Sequence, residues 1–259
     1  MSTRRIAGSA AVLLVLVGPA FSAETARQIL DRRKALDDTE RHWEDRRQKL
    51  TFHILDRRGS ERTRDLELLE KRYPADERKT TVFFQSPPEV KGTAFLAFTH
   101  KGKPADQWLY LPELQRVRQI TSNTRGQSFV GSDLTYRDLD ILSEMASWSE
   151  DDATSALGPD ETIDGISCHR IELVPKREDI GYKKITLWLG RDDLVPRRLE
   201  FFGDDAGPTK RITQSDIRKV GAIPVAYETK VETPAAGTST EIAIGDTQFD
   251  QKLSDDSFT

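Results

Sequence analysis

Beyond residue 43 the chain alternates between apolar and polar positions. Leu50, Phe52 and Ile54 are separated by Thr51 and His53, and Arg57-Arg58-Gly59-Ser60 then turns the chain. That is the period-two pattern of a half-buried strand closed by a turn. The same unit recurs over 63–71, 79–85, 92–99, 107–111 and 116–120, and again over 166–175, 182–189, 195–202, 209–219, 225–232 and 239–244. Turn formers such as Ser86-Pro87-Pro88, Gly190-Arg191-Asp192-Asp193 and Pro234-Ala235-Ala236-Gly237 punctuate them. Hairpins need only tight turns, whereas parallel pairs need long crossovers, so the spacing predicts about a dozen strands in one continuous antiparallel sheet.

Two stretches break this pattern. Over 24–37, Ala26, Ile29, Leu30 and Leu36 recur at helical spacing, which predicts a helix with Asp31 to Lys34 on its solvated face. The middle, 122–156, reads as helix or loop. No Pro/Ser-rich linker and no abrupt shift in composition divides the chain, which predicts a single domain over 24–259.

The first residues have a separate logic. Arg4 and Arg5 precede an apolar run from Ala10 to Val17, followed by Gly18-Pro19 and small residues. This is the layout of a secretory signal peptide over 1–23, cut after Ser22 or Ala23, and the run is too short to span a bilayer. Without it, Lys+Arg falls from 39 to 37 against 43 Asp+Glu, a net charge of −6.

Composition then removes several function classes. Nearly balanced charge argues against a polyanion binder, and 36% hydrophobic residues argue against a disordered chain. The single cysteine, Cys168, excludes an intramolecular disulfide and any Cys-rich metal site, and its strand-like setting predicts a buried, unreactive thiol. His42, His53, His100 and His169 are isolated from one another, and no nucleophile elbow, phosphate loop or dinucleotide fingerprint occurs. Gly131-Ser132-Asp133 reads as a capped helix start. The expectation is a protein that is not an enzyme, with no cofactor and no metal.

Three stretches carry a family likeness. Residues 83–98 include Pro88-Glu89-Val90-Lys91-Gly92-Thr93-Ala94-Phe95-Leu96. Residues 106–120 include Gln107-Trp108-Leu109-Tyr110-Leu111-Pro112 and Arg116-Val117-Arg118. Residues 128–136 include Ser128-Phe129-Val130-Gly131-Ser132-Asp133. Together they resemble the periplasmic outer membrane lipoprotein-sorting proteins, relatives of the lipoprotein carriers LolA and LolB. The resemblance implies a mainly β (α+β) fold, a curled antiparallel sheet of about eleven strands forming an unclosed barrel lidded by a few helices. It also implies a soluble periplasmic carrier that holds the acyl chains of a lipoprotein or lipid in an apolar concavity and moves them between membranes. An inner-membrane exporter or an outer-membrane acceptor would be its partner, with no nucleic acid and no stable membrane insertion. No Cys follows the signal, which fits a soluble carrier over a lipid-anchored acceptor. The other reading of the same groove is a non-catalytic interaction or sensor module, such as an exporter accessory, that receives a protein partner.

A sheltered hollow suits such cargo, since a sixteen-carbon chain left in water costs about 12 kcal/mol at roughly 0.8 kcal/mol per methylene. The large apolar residues on the predicted strands, Phe84, Leu96, Phe98, Trp108, Tyr110, Trp188 and Phe201, are the candidates to line it. Ordinary core is their alternative role, and alternation alone leaves open which parity faces inward. Arg116 and Arg118 share one strand face, as a wet surface or as a contact for headgroups or a partner.

Overall fold

The structure, a computed structural model, describes residues 24–259. The signal-peptide assignment therefore lies outside the described residues. Helix α1 (Ala26–Asp38) opens on a capping box: Thr25 Oγ1 accepts from the Gln28 amide, and Gln28 Oε1 accepts from the Thr25 amide at 2.8 Å. Six strands follow as a meander: β1 (Asp45–Leu55), β2 (Glu61–Arg72), β3 (Arg78–Ser86), β4 (Ala94–His100), β5 (Lys103–Leu111) and β6 (Arg116–Gln119). Helix α2 (Tyr136–Glu144) comes next. The second series is β7 (Ala153–Leu157), β8 (Glu161–Ile163), β9 (Ile166–Pro175), β10 (Lys184–Gly190), β11 (Pro196–Phe202), β12 (Lys210–Val220), β13 (Ile223–Thr233) and β14 (Thr238–Phe249).

The curled antiparallel sheet implied by the family likeness is present, with 14 strands. Its order is β6-β5-β4-β3-β2-β1-β14-β13-β12-β11-β10-β9-β7, with β8 also on β9. Every neighbour along this path up to β9 is sequential except at the centre, where β1 lies against β14. The strands that the sequence pattern misses are β7 and β8. The first reads Ala-Thr-Ser-Ala-Leu, whose small residues give little apolar contrast, and the second is only three residues long.

Opposed residues of paired strands share a face, so the register defines the inner one. Leu50, Leu66 and Phe84 form one row across β1, β2 and β3, and Val82, Phe95 and Leu109 form the next across β3, β4 and β5. In the other arm Val231, Ile212, Leu199, Leu187 and Ile171 line up across β13 to β9. All of these join one buried cluster with Phe129 and with Ile141 of α2. Each such side chain contributes about 1.5–3 kcal/mol through burial.

Helix α2 lies on this inner face and starts at Thr135, whose hydroxyl accepts from the Asp138 amide at 3.1 Å while Asp138 Oδ2 accepts from the Thr135 amide at 2.7 Å. The predicted cap at Ser132-Asp133 is thus displaced by two residues. The Ser132 hydroxyl instead donates to the Phe129 carbonyl at 2.8 Å, and the Asp133 carboxylate is taken up by the hydroxyls of Thr233, Thr238 and Thr240. Thr135→Ala is expected to lower stability by about 1 kcal/mol, read as a shift of the urea midpoint with an unchanged slope.

Candidate ligand-binding site

Between α2 and the β1–β5 arm lies a cavity of about 200 Å³. Leu50, Phe52, Leu68, Val82, Phe95 and Ala97 of the sheet, Phe129, and Leu139 and Leu142 of α2 form its apolar wall. Thr80, Thr99, Gln107, Asp140 and Ser143 add polar atoms, and Arg46, Glu70 and Arg78 stand at one end. At that end Glu70 is 4% exposed and accepts from Arg46 at 2.6 Å, with Arg78 at 3.5 Å. Burial alone would raise the Glu70 carboxyl, but the two guanidinium groups outweigh it and hold it below the usual glutamate range. A dry void of about 150 Å³ accommodates a benzene-sized molecule, so this one takes a slender apolar group.

Helix α2 is fixed over the cavity by its acids. Asp138 pairs with Lys210 and accepts from the Tyr182 hydroxyl at 2.7 Å; Asp140 pairs with Arg125 at 2.7 Å, and Glu144 with Arg177 at 2.9 Å. The three carboxylate side chains are at most 6% exposed. Burial pushes the Glu144 carboxyl up to about 7 against the pull of Arg177, and burial likewise raises Asp140 in spite of its bond from the Ala105 amide and the nearby Arg125. A raised acid stabilises the fold fully below its unfolded value, near 4.5, and that contribution is lost as pH climbs through about 7. The thermal midpoint of Glu144→Gln is therefore expected to fall less between pH 5 and pH 8 than that of the wild type. Parallel profiles would remove Glu144 as the titrating group.

The seven candidates divide by face. Phe84 and Phe201 lie on the inner face, 2% and 0% exposed, within the main cluster but outside the cavity wall. The other five lie on the outer face, so their expected place in the cavity is corrected. Leu96 and Trp108 face each other across β4 and β5 with parity opposite to Phe95, Ala97 and Gln107. Phe98 meets Trp108 edge-on at 5.3 Å and lies under the Lys79 ammonium at 4.7 Å. Tyr110 is 37% exposed. Trp188 is buried with Ile163 and Cys168 in a separate small cluster and donates its indole N–H to Glu161 at 3.1 Å. Cys168 itself is buried, and its thiol is pushed up by that burial. Arg116 and Arg118 are exposed on the edge strand β6.

The wall residues that the sequence reading passed over are mainly the other parity of the same strands. The clean alternation of β1, with Gln48, Leu50, Phe52 and Ile54 inward, was the available signal. Carrying it to β4 requires the register through β2 and β3, which slips between Asp65 and Leu66.

Among the described residues no helix is long and apolar enough to cross a membrane. A family model whose description reads "uncharacterized protein" matches residues 76–259. No curated protein matches the chain. Among solved structures, one described as an outer membrane lipoprotein-sorting protein domain from Vibrio parahaemolyticus is 28% identical, with a TM-score of 0.81 over 89% of this chain and 94% of its own. A DUF1329 family protein from Desulfovibrio piger is 26% identical, with a TM-score of 0.82 over 90% and 95%. A LolA superfamily protein from Nitrosomonas europaea, 17% identical at a TM-score of 0.68 over 92% and 98%, shares the fold. The chain thus belongs to the family of the matched model, and its fold is the LolA-like fold that these structures share.

Proposed function

We propose that the chain is a non-catalytic periplasmic carrier that shelters an acyl chain of a lipid or lipoprotein in the cavity beneath α2 and moves it between membranes. The observation that carries this reading is the cavity itself, about 200 Å³, bounded by nine apolar side chains from the sheet, the Phe129 loop and α2. Each methylene that leaves water for such a wall gains about 0.8 kcal/mol, so even a short stretch of tail binds measurably. The likeness to a structure described as a lipoprotein-sorting domain supports the same class of cargo, and donor and acceptor proteins at the two membranes belong to this reading as partners.

Loading needs an element that yields. Three buried ion pairs tie α2 down, whereas α1 buries only Ala26 and Ile29, and its Arg33 and Asp37 line a second cavity that adjoins the first at Arg46, Arg78 and Leu142. Displacement of α1 is the motion that lengthens the hollow, and a tail then competes with the protein's own side chains for it, which keeps affinity moderate. Native mass spectrometry of protein purified from the cell envelope, paired with displacement of a hydrophobic dye by fatty acids, tests the reading. Copurified lipid or acylated peptide and saturable competition are expected. A chain that is lipid-free and shows no saturable displacement would not be a carrier.

A further inference from the structure

At the end marked by Arg46, Arg78 and Leu142, the apolar cavity shares these wall residues with a second cavity of about 310 Å³. Arg33, Arg41, Arg46, Arg72 and Arg78 all face that second space, and among the described residues Asp37 is the one carboxylate that lines it. The negative partners at hand are few. Glu70, from the wall of the first cavity, takes Arg46 and reaches Arg78, and Asp37 lies 3.7 Å from Arg33. Arg41 donates to an uncharged acceptor, the Asp193 carbonyl, at 2.7 Å. Arg72 donates to the Asp37 carbonyl at 3.3 Å and stacks over the Trp43 ring at 4.1 Å, and its buried Nε has no partner among the described residues. Burial, with Arg78 beside it, lowers Arg72 to about 10, and burial also lowers Arg33. Guanidinium groups gathered in a partly dry space in excess of their carboxylates are costly until an anion joins them, and their planar forks suit phosphate or carboxylate oxygens.

We propose that this arginine-lined mouth binds the anionic headgroup, a phosphate or a carboxylate, of a single-tailed amphiphile whose tail lies in the adjoining apolar cavity. The inference rests on the carrier reading and narrows it: a neutral acylated terminus would leave the guanidinium groups as unpaired as they are without cargo. The size of the apolar chamber favours one tail over two.

The full-length mature protein, titrated by dye displacement below micellar concentrations, supplies the test. The probes are lauroyl lysophosphatidate, monolauroylglycerol as its neutral counterpart, and glycerol phosphate as the head alone. The lysophosphatidate is expected to bind at least about tenfold more tightly than the neutral lipid. That ratio should shrink as ionic strength is raised and approach one in Arg33→Gln and Arg72→Gln, with thermal melts reporting whether each variant is folded. Equal affinity of the two lauroyl lipids for the wild type would overturn the headgroup site while leaving the carrier intact. Binding of neither would remove both. Glycerol phosphate binding as tightly as the lysophosphatidate would make the mouth a free-anion site and overturn the amphiphile. The wild-type salt series decides the matter even if a variant fails to fold.

Discussion

Asp138→Ala is expected to destabilise the protein by about 3–5 kcal/mol, the largest effect of any single exchange outside the apolar core. Its carboxylate side chain is 0% exposed and pairs with Lys210, itself 5% exposed. It also accepts from the Tyr182 hydroxyl and closes the cap of α2 through the Thr135 amide. Removing it strands an ammonium in the interior and opens the first turn of the helix. The Lys210 ammonium also donates to the Asp133 carbonyl, which offsets only part of that loss. For a chain of this size the melting temperature should fall by roughly 2–4 °C per kcal/mol. The paired exchange Asp138→Leu with Lys210→Met is expected to recover most of the stability, because two apolar groups of similar volume need no partner. A melt of Asp138→Ala within a degree or two of the wild type would mean that the pair is not the fastening of α2.

Ala97→Phe is expected to abolish binding of acyl chains, with at least a tenfold loss of affinity in dye displacement, while the fold persists. Ala97 is 6% exposed on the inner face and borders the cavity. An added phenyl ring needs about the volume of a benzene molecule, of which an engineered void of about 150 Å³ is a measure, and the cavity offers about 200 Å³. The new ring therefore fills space that exists, and its burial offsets the strain of the insertion. The control is one residue away: Phe98→Ala removes a ring from the outer face, losing contact with Trp108 and Lys79. It should lower stability by about 3 kcal/mol or less for a half-buried ring and leave acyl binding within twofold. The opposite outcome, binding lost in Phe98→Ala and kept in Ala97→Phe, would move the site to the outer face.

The pattern of alternation and turns was enough to read the sheet, and for β9 the predicted span, 166–175, coincides with Ile166–Pro175. The inner face was harder. In β4 the inward Phe95 is followed by an outward Leu96 and Phe98, so both parities carry large apolar side chains and period two has no contrast to offer. The outward set has neighbours that sequence conceals, such as Lys79 over Phe98 and the C-terminal turn, where the Ser257 carbonyl accepts from Thr81, the register partner of Leu96. Charge misled as well: Arg33 reads as part of a solvated helix face, yet its side chain is only 16% exposed and lines the second cavity. The acids of α2, Asp138, Asp140 and Glu144, are each buried against a cation from another segment, a pairing that no local pattern carries. The mouth was invisible for a related reason: Arg33, Arg41, Arg46, Arg72 and Arg78 come from α1, a loop and three strands, and only strand pairing brings them to one space.

The seam between β1 and β14 governs how the molecule is assembled. It pairs Leu50 with Ile244 and Phe52 with Ile242 at the middle of the sheet, joining the first strand of the sheet to its last. A nascent polypeptide can zip each arm from local hairpins as it emerges, but the union of the arms waits for the final strand to be synthesised. Until then β1 is an open template for another molecule's backbone. Loss of β14 by premature termination or proteolysis should therefore yield aggregates rather than a smaller working protein, because nothing else among the described residues closes the seam on β1.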